Sequence, residues 1–112
     1  MPDQTFPKTA RLLVRAEFDA VFALKQIAGD RRLVIFWRKN DLGRARLGLA
    51  VGVAFGNAVK RNLFKRRVRE LFRKSALGAH DLVVLPAKHA EAKNAGFAEL
   101  ALSWQKLTAK LR

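Results

Sequence analysis

The sequence contains no cysteine, only two histidines and only nine acidic residues. The missing cysteine excludes a disulfide framework, a thiolate nucleophile and any zinc site built on thiolates. His80 and His89 are too few for a His-rich metal cage. The acids are scattered, and the one close pair, Glu17 and Asp19, would point apart on a helix. The paired carboxylates of a protein hydrolase are therefore missing. His80 stands beside Asp81, but neighbours in sequence rarely face each other, so a general-base pair is not expected there. The glycines of AVGVAFGNAVKR do not have the spacing of a phosphate-binding P-loop. No run approaches the roughly 18 apolar residues of a membrane span. The first residues, with Asp3 early and no long apolar stretch, do not read as a signal peptide, so a cytoplasmic protein with no membrane partner is expected.

What the chain has in excess is positive charge. It carries 23 Lys and Arg against 9 Asp and Glu, a net charge of +14 over 112 residues. Half of the residues are hydrophobic, which separates it from a disordered basic tail. One folded domain spanning residues 1–112 is expected, with no linker or repeat. A small domain that tolerates this much self-repulsion points to a polyanionic partner, and phosphate backbones are the commonest. A membrane-surface reading would need a dominant amphipathic helix rich in Trp, and the aromatics here are dispersed.

Residues 1–10, with Pro2 and Pro7, read as a loose approach segment. Phe18, Val21 and Phe22 recur at helical spacing and predict a helix over Glu17–Leu24, its stripe continued backward by Leu13 and Val14. RLVIFWR at 32–38 has strong strand propensity, and Phe36 and Trp37 must then point to opposite sides of the sheet. Asn40-Asp41-Leu42-Gly43 reads as a hairpin turn leading into a second strand over Arg46–Val53. Gly48 and Gly52 in that strand suggest close backbone approach. Asp81–Leu85 reads as a buried strand stopped by Pro86, and Ala95–Leu111 as an amphipathic closing helix with Trp104 in the core.

The most informative segment is AVKRNLFKRRVRELFRKS, residues 58–75. Asn57 is a credible N-cap, and Phe64, Val68, Leu71 and Phe72 form a core stripe. Residues 60–74 hold eight basic side chains against Glu70 alone. Arg61, Lys65 and Arg69 step by four residues, and Asn62, Arg66 and Arg73 widen the stripe. A solvated helix face normally mixes signs, whereas this one repels itself until a polyanion arrives. Such contacts position a nucleic acid rather than read its sequence. Phe18, Phe22 and Phe36 offer stacking surface for single-stranded bases, although Phe18 and Phe22 also fit an ordinary core.

RLGLAV at 46–51 followed by FGNAVKRNLFKRRVRE at 55–70 resembles the signature of the bacterial ribonuclease P protein component. The resemblance extends over nearly the whole chain. It implies an α+β two-layer sandwich like the second domain of ribosomal protein S5, with a mixed central sheet, α-β-β-β-α-β-α order and a left-handed crossover. It also implies a short first strand near Gln26–Gly29. The implied role is that of the protein subunit of a tRNA-processing endoribonuclease whose catalytic groups lie on RNA. That RNA would hold Mg²⁺ and cut precursor tRNA at its 5′ leader, with one protein per RNA subunit. By this resemblance Arg46, Arg61, Asn62, Lys65, Arg66 and Arg69 bind RNA, and the reading of the basic helix adds Lys60 and Arg73 to that set. Phe18, Phe22 and Phe36 line the cleft for the leader, and no catalytic or metal-binding residue is expected on the protein. Two departures stand out: Leu63 replaces a usual Arg, and Gly52-Val53-Ala54 replaces a usual Ser-Lys-Lys. Arg67, one turn on, is the residue expected to compensate in part. The alternatives are a general or ribosome-associated RNA-binding protein without a nuclease role, and a self-sufficient nuclease.

Overall fold

The computed structural model describes residues 10–111, so the segment around Pro2 and Pro7 lies outside it. Helix α1 (Arg15–Ala23) is followed by strands β1 (Ile27–Gly29), β2 (Leu33–Lys39) and β3 (Arg46–Leu49). A 3-10 helix (Val53–Phe55) leads into α2 (Ala58–Arg73), then β4 (His80–Pro86), α3 (Ala90–Asn94) and α4 (Phe97–Thr108). The short β1 is the strand that the family resemblance implies. Leu13 and Val14 precede α1 and are exposed, so the apolar stripe does not run back through them.

The four strands form one sheet in the order β1-β2-β4-β3. β4 is antiparallel to β2 and parallel to β3. This overturns the hairpin expected at 40–43: β2 and β3 are not neighbours, because β4 lies between them. The turn chemistry is nonetheless real. Asn40 Oδ1 accepts from Leu42 N, and its Nδ2 donates to the Arg44 carbonyl at 3.0 Å, while Gly43 takes a positive φ of 76°. The bend carries the chain past β4 instead of back along β2. β3 is also shorter than expected, ending at Leu49, and its ladder gives way to the 3-10 helix. Gly48 does mark a close approach; Gly52 does not, since a Cβ there would meet nothing within 4 Å.

The two sheet faces are covered differently. Leu33, Ile35 and Trp37 of β2, Leu47 of β3, and Leu82 and Val84 of β4 point to one side. There they pack against Phe64, Val68, Leu71 and Phe72 of α2 and Leu100, Trp104 and Leu107 of α4. Each such side chain contributes about 1.5–3 kcal/mol by leaving water. The Trp104 indole Nε1 donates to Ser75 Oγ at 2.8 Å, and that hydroxyl donates to the Leu71 carbonyl, so the end of α2 is tied to α4. The opposite face carries α1. Val21 and Val83 are fully buried there, with Phe18, Phe22 and Phe36 packed around them. Phe36 and Trp37 thus lie on opposite sides, as strand geometry requires. The closing helix begins at Phe97 rather than Ala95, because Ala90–Asn94 folds separately as α3.

Candidate nucleic-acid interface

Helix α2 starts where Asn57 accepts a hydrogen bond from Lys60 N at 3.0 Å, as its side chain predicts. With about 100° per residue, burial of Phe64, Val68, Leu71 and Phe72 fixes where every basic side chain points. Arg61, Lys65, Arg69, Asn62, Arg73 and Arg66 fall within one arc of about 140°, whose edge near Arg61 is shared with the buried Phe72. Asn62 and Arg66 are exposed; Arg61, Lys65, Arg69 and Arg73 are half-buried. Arg61 gives its Nε to the Gly56 carbonyl at 3.1 Å, which fixes its guanidinium beside the helix start. Arg73 donates to Glu70 at 2.6 Å, and Lys74 sits 3.0 Å from the same carboxylate. Those two cations hold the Glu70 carboxyl below its ordinary range, so this acid stays charged beside the stripe.

Lys60 falls on the other flank, where it lines a small hollow with Phe55, Leu63, Phe64, Arg67 and Ala92. The structure therefore separates Lys60 from the rest of the sequence-derived set. Leu63 is half-buried in this hollow, which accounts for an apolar residue at that place. Arg67 turns away from the basic arc and donates Nη1 to the Ala95 carbonyl at 3.0 Å. It fastens α2 to the α3–α4 junction and does not stand in for a cation at 63.

On the other side of the sheet, Phe18, Phe22 and Phe36 converge. Phe22 and Phe36 meet edge to face, with ring centroids 4.8 Å apart and an interplanar angle of 87°. All three rings are half-buried, so each keeps accessible aromatic surface. Ala50 and Leu85 flank this cluster. The same two residues line an open hollow of about 560 Å³ that continues past Phe55 and Pro86 to Lys88, His89 and Lys93. Sequence reasoning missed these last three residues. They follow a strand stop and belong to no periodic pattern, so only the fold brings them to this hollow beside the aromatic cluster.

Arg46 is placed differently from the other cations expected to bind RNA. Its Nε and Nη2 donate to the two oxygens of Asp81, both at 2.9 Å, and its Nη1 donates to Glu17 Oε2 at 2.9 Å. Asp81 is fully buried and also accepts from Asn40 Nδ2 at 2.8 Å and Arg38 Nε at 3.1 Å. Burial alone would push the Asp81 carboxyl up, but the donors from Arg46, Asn40 and Arg38 hold it below its ordinary value. The same carboxylates push the Arg46 guanidinium pKa up, so the group stays charged. His80 does not form a pair with Asp81: its Nδ1 lies 2.8 Å from the Leu77 carbonyl, while the Asp81 carboxylate faces Arg46. Among the described residues no three His, Asp or Glu side chains cluster as metal ligands would. No helix among them is long and apolar enough to cross a membrane.

The family model for ribonuclease P matches residues 6–112. The ribonuclease P protein component of Legionella pneumophila (strain Lens) is 38% identical over 106 residues, covering 92% of this chain and 93% of that protein. That of Ralstonia pickettii is 44% identical over 82 residues, covering 70% of this chain and 59% of its relative's length. Among solved structures, the Staphylococcus aureus RNase P protein superposes with a TM-score of 0.83 at 29% identity, covering 93% of this chain and 98% of that one. The Thermotoga maritima RNase P protein gives the same TM-score at 32% identity, covering 91% of this chain and 100% of that one. With a basic helix on one sheet face, an aromatic cluster on the other and a family match along nearly its full length, the chain belongs to the ribonuclease P protein component family, the protein part of a tRNA-processing ribonucleoprotein endoribonuclease.

Proposed function

We propose that the two surfaces divide the work of this subunit. The arc of Arg61, Asn62, Lys65, Arg66, Arg69 and Arg73 grips the phosphates of the catalytic RNA. The cleft of Phe18, Phe22 and Phe36 stacks unpaired bases of the 5′ leader of precursor tRNA, and Lys88 and Lys93 take up its phosphates further along. Lys60 serves the rim between α2 and α3 rather than the main arc. The observation that carries this reading is that the basic arc and the half-buried aromatic cluster lie on opposite faces of one sheet, so two RNA segments can be bound together. The Mg²⁺ ions belong to the RNA and substrate, where phosphate oxygens are suitable hard ligands. The protein acts in the cytoplasm, with one copy per RNA subunit.

The test is reconstitution with the RNA subunit. The chain alone is expected to leave precursor tRNA intact, and the chain with RNA to remove the leader. Lys65→Ala should reduce the salt slope of RNA-subunit binding by about 0.7–0.9. Phe22→Ala should weaken binding of precursor tRNA but not of tRNA without a leader. Cleavage by the protein alone, or equal effects of Phe22→Ala on both substrates, overturns the proposal.

A further inference from the structure

In the sheet register, Arg38, Asp81 and Arg46 sit side by side on β2, β4 and β3. Two residues along, Phe36, Val83 and Gly48 form the parallel row that underlies the aromatic cluster. Helix α1 touches both rows through consecutive residues. Phe18 rests on Gly48, and Glu17 reaches Arg46. Glu17 also spends its other oxygen on α1 itself, accepting from Leu13 N at 2.9 Å and Val14 N at 3.3 Å. Val14 has no side-chain acceptor, so Glu17 carries the polar capping of this helix start. One carboxylate therefore both starts α1 and pins it to the sheet.

We propose that Arg46 is a positioning residue whose bridge between Asp81 and Glu17 sets the height of α1 above the sheet, and so the width of the cleft for single-stranded RNA. Its side chain is only 14% exposed, and its Nε, Nη1 and Nη2 donate to carboxylates, an arrangement suited to holding protein rather than phosphate. The fully buried Asp81 is anchored by three donor residues, so the fixed end of the bridge is the sheet and the adjustable end is α1. The inference rests on the cleft being the leader site.

The opposed reading, in which Arg46 contacts phosphate, predicts the opposite sign for one substitution. Removing the Glu17 charge would free Arg46 and tighten RNA binding. If Arg46 is a pin, Glu17→Gln loosens α1 and weakens the preference of the reconstituted holoenzyme for leader-bearing over leaderless tRNA. The expected loss is about three- to tenfold, with an unchanged salt slope. Because the chain lacks cysteine, spin labels on Ala23→Cys and Lys39→Cys report the α1-to-sheet distance directly. Both positions are exposed. Glu17→Gln and Arg46→Gln should each broaden that distance distribution in the free protein.

An unchanged distribution overturns the pin whatever the cleft binds. A broadened distribution with full leader preference, in a holoenzyme where Phe22→Ala abolishes that preference, overturns its role in binding. Tighter binding by Glu17→Gln returns Arg46 to the phosphate contacts. If Phe22→Ala leaves leader preference intact, the leader reading falls, and the pin's role in binding falls with it.

Discussion

Phe18 lies so close to Gly48 that a Cβ built on the glycine would be 2.7 Å from ring atoms Cε2 and Cζ. The Leu12 Cβ would also be close, at 3.2 Å. The glycine is thus what lets the Phe18 ring of α1 rest directly on the sheet at this point.

Gly48→Ala must therefore displace the Phe18 ring. Overpacking of this kind costs about 1–2 kcal/mol, toward the low end because the half-buried ring can yield. Urea unfolding should show that loss, and ring NMR shifts should report movement of Phe18. Wild-type stability with unmoved ring resonances would contradict this account of the contact.

Leu63→Arg should add a cation one turn before Arg66 at modest cost in packing, since Leu63 is only half-buried. RNA-subunit affinity is expected to rise, with the salt slope steeper by about 0.7–0.9. Equal affinity and slope would mean that the RNA does not reach this part of α2.

Asp30 closes the β1–β2 turn. Its Oδ1 accepts from Arg32 N at 2.8 Å and Leu33 N at 2.9 Å, and Lys106 of α4 lies 3.2 Å from Oδ2. Burial raises its pKa, but the Leu33 amide, Ser103, the Arg32 amide and Lys106 outweigh it and bring it down from 3.8 to about 2. The folded pKa is the lower one, so the stabilisation is complete above the unfolded value and disappears as pH falls from about 4 to about 2. It amounts to about 2 kcal/mol. Asp30→Asn should lower stability at neutral pH and flatten the curve in that acid window; an unaltered acid limb would assign the loss to other carboxylates.

Ser75→Ala removes the acceptor of the Trp104 indole, which is 2% exposed. A buried donor left without its partner costs about 1–3 kcal/mol. Thermal melts should fall accordingly, while the salt slope of RNA binding stays at the wild-type value. A wild-type melting temperature would show that the indole finds another acceptor.

How far the sequence could be read differs from element to element. The cap and core stripe of α2 were legible, because both obey one local period, whereas the flank position of Lys60 and the tie of Arg67 to Ala95 depend on α3 and α4. The opposed faces of Phe36 and Trp37 followed from strand alternation alone. The sheet order was not legible. A turn motif at 40–43 says that the chain bends, but which strand lies next to β2 depends on residues 80–86, about forty positions away. The surroundings of Arg46 were hidden for the same reason: its partners Glu17 and Asp81 are distant in sequence. The chemistry of Lys88 and Lys93 needed the fold to bring them beside Phe55.

The placement of β4 has a consequence for how the molecule comes into being. Among the described strands it is the last to be synthesised, and it is an inner one, flanked by β2 and β3. Until residues 80–86 leave the ribosome, neither neighbour has its inner partner, and the buried counter-charge for Arg46 does not exist. The sheet cannot grow outward from an early hairpin core of β2 and β3; it closes in one late event that joins both halves. A chain ending before His80 should therefore remain unfolded rather than form a smaller version of the domain.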